Sequence, residues 1–427
     1  MIDSAVRVEK LPSPEPVRST NTRGAQRLPA DGQLRSASAE TESTERQTAL
    51  RALLMHAILP AGGAHADEYR LVQRHAAYLH DWLARMAGWT LVFQTDLVRL
   101  RKTPATLDDC TRGAIECSSG QPLPRRRYAL LCLVLAILEN EDRQTTLEQV
   151  ARRTQLAASA EPRLKAGGFE FDLAEQDCRR DMVSVIRLLE SLHVMVRDDG
   201  DDQQFVRGTG DALYRINRAV LTSLLCVTHP PSTLSRLSWK ERLSALHETE
   251  MPDSDDVRNR QIRHQLVRRL LDNPVLYFDL LTEQELDYLT SQRSYLLNEI
   301  ASETGLVPEV RKEGIALLDP EGDLTDTGLP ETGTRGHATL LMAEWLANRL
   351  RSGAEPGVSW SELHARMAEL TVEHAGRWRR GIEQPAARQS LAYDVIARLE
   401  ALGLLEIRGD QILPRPAIAR YAIGGDQ

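Results

Sequence analysis

The sequence has no apolar run long enough to cross a membrane. The longest, YALLCLVLAIL at 128–138, falls well short of the roughly 18–20 residues that a membrane-spanning helix requires. It is typical of a buried helix. The first forty residues are rich in Pro, Ser, Thr and Arg and contain no apolar segment of the kind found in signal peptides. We therefore predict no contact with a membrane and a disordered tail over residues 1–43.

Disulfide patterns and an excess of positive charge are also missing. The five cysteines form no CxxC pair and leave one over, which favours reduced thiols in the cytoplasm over a disulfide framework. The formal net charge is −8, so no global positive field attracts the chain to nucleic acid or to acidic membranes. Any contact with DNA must therefore come from local basic patches.

Sequence motifs of catalysis and of metal binding are absent as well. There is no G-x-x-x-x-G-K-[ST] phosphate-binding loop and no G-x-S-x-G nucleophile motif. His364 and His374 are too far apart to share one helical face, as a zinc site would require. The acidic stretch DDGDD at 198–202 lacks the closing glutamate of a calcium loop, and we interpret it as the solvated tip of a hairpin. These absences predict a protein that is not an enzyme and holds no cofactor or metal. A metal-dependent nuclease would need an acidic or histidine cluster that the sequence does not display.

What the sequence does contain is a recurring order of helices followed by a hairpin. In 125–210 a buried helix, a short amphipathic helix and a long helix precede two strands, which is the order of a winged helix. The predicted elements are helices at 125–141, 145–156 and 172–192 and strands at 194–197 and 204–207. The last segment repeats this order, with helices at 337–350, 359–374 and 386–402, a hairpin at 404–413, and a capping box of Ser359 and Glu362.

Two other segments carry a weaker form of the same pattern. A hairpin is predicted at 89–104, around Thr95-Asp96, and another at 308–326, around Pro320-Glu321-Gly322. The second of these follows helices at 258–274 and 282–305. Whether these two segments are winged helices is left open. The predicted fold class is mainly α with small β-hairpins (α+β), built from tandem winged-helix domains. The predicted divisions are a disordered tail (1–43), an N-terminal helical and hairpin domain (44–124), a winged-helix domain (125–210), a middle helical domain with a hairpin or a further winged helix (211–335) and a C-terminal winged-helix domain (336–427).

Three groups of arginines are candidates for contact with DNA. One begins a helix, one forms a stripe with Ser184 opposite the core face of the long helix, and one lies in the basic run RNRQIRHQLVRR at 258–269. In a winged helix that reads DNA, such side chains pair with guanine edges or phosphates. The alternative is that they are solvated helix faces paired with acidic residues, and the aspartates of 198–202 would repel DNA. The candidate residues are Arg125, Arg126, Arg127, Arg180, Arg187, Arg258, Arg260 and Arg263.

Several stretches resemble one bacterial protein family of about this length. They are TERQTALRALL, RRRYALLCLVLAILENEDRQTTLEQVA, RNRQIRHQLVRRLLDNPVLYFDLLTEQELDYLTSQRSYLLNEIASETGLVPEVRKEGIALLDP and the segment after Gly336. The family is the B subunit of Wadjet-type plasmid-defence systems, which is similar to the MukE-type kite proteins of bacterial condensins. The resemblance extends over residues 44–420.

The resemblance implies a non-catalytic subunit made of tandem winged helices. Such a subunit binds the kleisin subunit and through it regulates the SMC ATPase, the motor that extrudes loops of DNA. A separate nuclease subunit of the same system cleaves the plasmid. The family suggests a homodimer, and it offers no catalytic motif to carry over. We add to this hypothesis an auxiliary contact with double-stranded DNA through the candidate arginines. The alternative function is a stand-alone winged-helix DNA-binding transcriptional regulator.

Overall fold

The computed structural model describes residues 31–107, 109–117, 119–224, 231–234, 236–246, 254–353 and 357–422. The chain divides into two segments, Met1–Ser43 and Thr44–Gln427. In the first segment, residues 31–43 of the predicted disordered tail are helical, and residues 1–30 lie outside the described residues. The four repeats described below lie in the second segment, except that the first helix of the first repeat begins at Asp31.

Each repeat is a set of helices around a three-stranded antiparallel sheet. A short strand precedes the second helix, a hairpin follows the last helix, and the final strand of the hairpin lies between the other two strands. This architecture confirms the predicted class, mainly α with small β-hairpins. The first strand of each sheet was not predicted, because it has only two or three residues and shows no alternation of apolar and polar positions.

The first repeat contains the predicted hairpin around Thr95-Asp96, whose strands pair from Thr90 with Arg101 to Gln94 with Leu97. The first strand of the sheet, at Ile58–Pro60, pairs with the other edge of the second hairpin strand. The elements are α1 (Asp31–Met55), β1 (Ile58–Pro60), α2 (Ala66–Arg74), α3 (Ala76–Met86), β2 (Thr90–Gln94) and β3 (Leu97–Arg101).

The second repeat differs from the prediction in its hairpin. The predicted strand at 204–207 is wrong, because this segment is a short helix inserted between the two strands. The Asp201 side chain accepts a hydrogen bond from the Gln203 N–H at 2.9 Å and begins this helix, and Gly208 ends it in the left-handed conformation. The true partner strand follows it, so the repeat extends beyond residue 210. The elements are α4 (Arg125–Leu138), β4 (Gln144–Thr146), α5 (Leu147–Ala160), α6 (Pro162–Ala166), α7 (Gln176–Ser191), β5 (Met195–Gly200), α8 (Asp202–Arg207), β6 (Ala212–Ile216) and α9 (Arg218–Ser223).

The third repeat follows α10 (Trp239–Ala245) and turns its hairpin earlier than predicted. The turn lies between Val310 and Gly314, whereas Pro320-Glu321-Gly322 lies beyond the second strand. Glycine is required in this strand because a Cβ at residue 314 would lie 2.3 Å from the carbonyl oxygen of Leu276. The elements are α11 (Asp255–Asp272), β7 (Leu276–Tyr277), α12 (Glu283–Thr304), β8 (Val307–Val310) and β9 (Gly314–Leu318).

The fourth repeat follows the prediction closely. The Ser359 hydroxyl accepts from the Glu362 N–H at 3.2 Å and the Glu362 carboxylate accepts from the Ser359 N–H at 2.9 Å, which is the predicted capping box. The predicted hairpin is present, with Gly409 in the left-handed conformation at its turn. The elements are α13 (Gly333–Arg351), β10 (Val358–Ser359), α14 (Trp360–Glu373), α15 (Pro385–Ala401), β11 (Leu405–Arg408) and β12 (Gln411–Pro414).

Among the described residues of the second segment, the buried apolar side chains form three cores. The first and third repeats share one of them, in which Trp82 of α3 is buried together with Leu266 of α11 and Leu296 of α12. The second and fourth repeats each have a core of their own, and the second also receives Ile58 and Leu97 from the first repeat. The first and third repeats are therefore packed as one body, although more than a hundred residues separate the end of β3 from the start of α11.

Candidate nucleic-acid interface

The three predicted arginines at the start of α4 do not form a common free surface. Arg126 Nε and Arg127 Nε donate to the two carboxylate oxygens of Asp181 on α7, each at 2.8 Å. Arg127 is also 2.6 Å from Glu116 Oε1. Burial alone would lower the pKa of Arg127, but the hydrogen bond to Asp181 and the two carboxylate charges raise it. Two of the three arginines thus hold α4 against α7, while Arg125 is exposed.

The predicted stripe on α7 is largely covered. Ser184 is 9% exposed and accepts a hydrogen bond from Arg127, so its predicted position opposite the core face is wrong. Arg187 Nε and Nη2 donate to Asp202 at 2.7 and 3.1 Å. Arg180 is exposed and pairs with Asp177 on the same helix at 2.7 Å. Of the stripe, Arg180 is the most exposed to solvent, while Arg187 is one-third exposed.

The acidic turn is not a solvated tip throughout, as the sequence suggested. Asp202 is 2% exposed and accepts from Arg187 and, at 3.2 Å, from Arg197. Burial raises the pKa of this carboxyl group, but the hydrogen bond and the charges of the two arginines outweigh burial and lower it below 3.8. Asp202 therefore holds the hairpin connection against α7. Its ion pair occupies Arg187, one of the arginines predicted to contact DNA.

The basic run on α11 also contains some arginines that are bonded within the chain and one that is not. Arg258 pairs with Asp255 at 3.1 Å, and Arg263 Nε donates to the Arg85 carbonyl oxygen at 3.1 Å. Arg260 is exposed, and neither its side chain nor that of Arg125 forms a hydrogen bond or ion pair with a described residue. Ile262, Leu266 and Leu270 on the other side of this helix are buried. Arg125 and Arg260 lie on different repeats and are separated along the chain.

A group of arginines that was not among the predicted candidates lies in the turn between α14 and α15, residues 374–384, which we call the arginine turn. Arg377, Arg379 and Arg380 are exposed. None of the three side chains forms an ion pair or hydrogen bond with a residue that the structure describes. The only acidic residue in this turn is Glu383. The alternation of arginine with tryptophan in RWRR was the available signal, since aromatic residues among basic ones are common where proteins contact nucleic acid.

The arginine turn is held in place by buried side chains. Trp378 is 6% exposed and its Nε1 donates to His337 Nδ1 of α13 at 3.0 Å. The ring of His374 stacks on Trp378 with centroids 5.7 Å apart. Burial and the nearby charges of His374 and Arg377 lower the pKa of His337, which favours the neutral imidazole that can accept this hydrogen bond. The arginines are thus presented on a fixed turn.

The structure also contains a cavity of about 730 Å³ where residues of the first, third and fourth repeats meet. Its cations are paired, since Lys102 lies 3.2 Å from Asp272 and Arg420 lies 3.2 Å from Glu309. Neither of these two side chains therefore offers an unpaired positive charge to the phosphate group of a cofactor. In the described part of the chain, no group of His, Cys, Asp and Glu is arranged to hold a metal ion.

The comparisons with known proteins identify a family. No helix within the described ranges is both long and apolar enough to span a bilayer. No curated protein and no solved structure matches the chain. A family model described as a protein of unknown function (DUF2398) matches residues 50–424. Because that match covers most of the sequence, the chain belongs to the DUF2398 family.

Proposed function

We propose that this chain is a non-catalytic, kite-type subunit of a Wadjet SMC complex. The observation that carries the proposal is the fourfold occurrence, in one chain, of helices around a three-stranded sheet of the same strand order. We take these repeats to be winged helices, a unit that serves both for DNA contact and for docking on other proteins. The resemblance of residues 44–420 to the B subunits of these systems supports the same function.

The proposed role is to dock on the kleisin subunit and, through it, to regulate the SMC ATPase that extrudes DNA loops. The nuclease subunit of the same system cleaves the plasmid. The chain acts in the cytoplasm as a homodimer and makes an auxiliary contact with double-stranded DNA. Docking as the main role is supported by the second repeat, where Asp181 and Asp202 occupy the arginines that a DNA-reading helix would use.

The test is co-purification with the kleisin encoded beside this chain. When the two are expressed together with a tag on the kleisin alone, we expect both to elute at a fixed ratio through affinity and size-exclusion steps. A tagged, unrelated kleisin serves as the control. If the chain is absent from the eluate although both proteins are well expressed, the docking role is wrong. Cleavage of a plasmid by this chain alone with Mg²⁺ would contradict the non-catalytic role.

One observation favours the alternative, a stand-alone transcriptional regulator. The long helix α15 of the fourth repeat has an exposed face with polar side chains, including Gln389 and Ser390, whereas the middle of α7 is buried. A regulator would prefer a particular DNA sequence by a factor of about 10³ or more over random sequence. The SMC subunit that we propose would bind duplexes of different sequence with similar affinity.

A further inference from the structure

We propose that the arginine turn, together with the exposed face of α15, binds the phosphate backbone of double-stranded DNA. This inference rests on the proposed function in one respect, since it gives a location to the auxiliary DNA contact. It moves that contact from the second and third repeats, where the sequence had indicated it, to the fourth.

The arginines of the turn differ from most of the earlier candidates in having no ion-pair partner in the part of the chain that the structure describes. On α4, α7 and α11 most of the candidate guanidinium groups already have a partner within the chain, as with Arg127 on Asp181 and Arg187 on Asp202. Arg377, Arg379 and Arg380 have no such partner among the described residues. An unpaired, exposed guanidinium can contact a phosphate without first breaking an ion pair, and it releases a counterion from DNA when it does so.

The backbone of the turn is held in place by buried side chains and a hydrogen bond. Trp378 and Ile382 are buried in the core of the fourth repeat, on either side of Arg379 and Arg380. The Arg379 N–H also donates to Thr334 Oγ1 at 2.8 Å, which ties the turn to the start of α13. Because the backbone is already fixed, binding DNA would order the three side chains but not the loop that carries them.

An exposed face of α15 continues from the turn and carries further hydrogen-bond donors. α15 begins directly after it, and Gln389, Ser390 and Tyr393 lie on one exposed face at spacings of one, three and four residues. Tyr393 is 47% exposed, and its ring lies 4.8 Å from that of Trp360 on α14. Glutamine, serine and tyrosine, like arginine, are side chains that donate hydrogen bonds to phosphate oxygens.

The combination favours a nucleic-acid duplex over an acidic protein segment. Four arginines, including the half-buried Arg388, and the hydroxyl and amide donors of α15 follow one another from the turn along the helix. A run of positive charges and hydrogen-bond donors suits the closely spaced phosphates of a duplex. The acidic residues close to it in sequence are Glu373, which is exposed and pairs with Arg366 at 3.3 Å, Glu383 and the half-buried Asp394. An acidic segment of a partner protein is the competing occupant, and the experiment separates the two.

The experiment measures binding of the full chain to a fluorescein-labelled DNA duplex by anisotropy, over a series of salt concentrations. The variant carries Arg377→Ala, Arg379→Ala and Arg380→Ala. The matched control carries Arg125→Ala, Arg258→Ala and Arg260→Ala, which remove the same charge from other exposed positions. We expect the turn variant to lose at least about tenfold in affinity and the slope of log K against log salt to fall by about 2–3. The control should change affinity less than about twofold.

Two further measurements decide between occupants. Arginine-to-lysine changes at the same three positions should restore most of the salt slope, because lysine keeps the charge. Kleisin co-purification of the alanine variant should be unchanged. The inference is overturned if the turn variant binds DNA like the wild type, if both triple variants weaken binding equally, or if the turn variant loses the kleisin while still binding DNA. A wild-type chain that binds the kleisin but no DNA would overturn this inference and leave the docking role standing.

Discussion

Replacing Asp202 with asparagine should destabilise the second repeat. The carboxylate is 2% exposed and accepts hydrogen bonds from Arg187 at 2.7 and 3.1 Å and from Arg197 at 3.2 Å. Breaking a fully buried ion pair costs about 3–5 kcal/mol, but both arginines are one-third exposed and water screens part of their charge. The amide oxygen can still accept one hydrogen bond. We therefore expect a loss of about 2–3 kcal/mol in the free energy of unfolding.

The assay is thermal unfolding of the purified variant beside the control Asp199→Asn. Asp199 is exposed in the same turn, and its side chain accepts a hydrogen bond from the neighbouring Gly200 N–H at 2.8 Å. Its replacement should change stability by less than about 0.5 kcal/mol. Since the pKa of Asp202 is lowered in the folded state, its contribution is present above about pH 4 and is lost as the pH falls through the folded pKa. Equal shifts of the melting temperature in the two variants at pH 7 would contradict the stabilising role of the buried Asp202. They would favour the interpretation of residues 198–202 as a solvated tip.

Three further predictions concern the shared core and its contact with the fourth repeat. Burial, followed by the charges of nearby arginines, lowers the pKa of His264 to about 4, so wild-type stability should fall between pH 6.5 and 4 by at most about 3 kcal/mol. In His264→Gln this fall, followed by melting temperature, should be smaller; an identical pH dependence would contradict the assignment. Gly314→Ala should cost about 1–3 kcal/mol, because the new Cβ would lie 2.3 Å from the Leu276 carbonyl oxygen, and an unchanged melting temperature would count against this packing. Tyr277→Phe should cost about 1 kcal/mol through loss of the 2.7 Å hydrogen bond to the Gly403 carbonyl oxygen, measured by urea unfolding beside the wild type, and no loss would mean that this contact is not formed in solution.

The sequence predicted the parts of the fold that local chemistry decides. The capping box of Ser359 and Glu362 and the hairpin at Gly409 are encoded within a few residues, and both are present. The hairpin of the second repeat was not predictable in the same way. Its connection contains a helix, and a stretch as short as QQFVR fits a strand as well as a helix until the cap at Asp201 and the stop at Gly208 are known.

The candidate site was less predictable than the fold because ion pairs join residues that are distant in sequence. Arg126 and Arg127 meet Asp181 more than fifty residues further along, and Arg187 meets Asp202 fifteen residues further along. Helical periodicity places such arginines on a polar face but does not say what covers that face. The core shared by the first and third repeats likewise depends on contacts between residues distant in sequence, which local sequence patterns do not predict.

The measurement that tests the account most directly is sedimentation of the purified chain with and without its purified kleisin at micromolar concentrations. The proposed function predicts a single faster-sedimenting complex of fixed stoichiometry, in which the self-associated chain and the kleisin move together. Independent sedimentation of the two proteins, at concentrations where both are folded and soluble, would contradict the claim that this chain is a kite-type subunit docking on a kleisin.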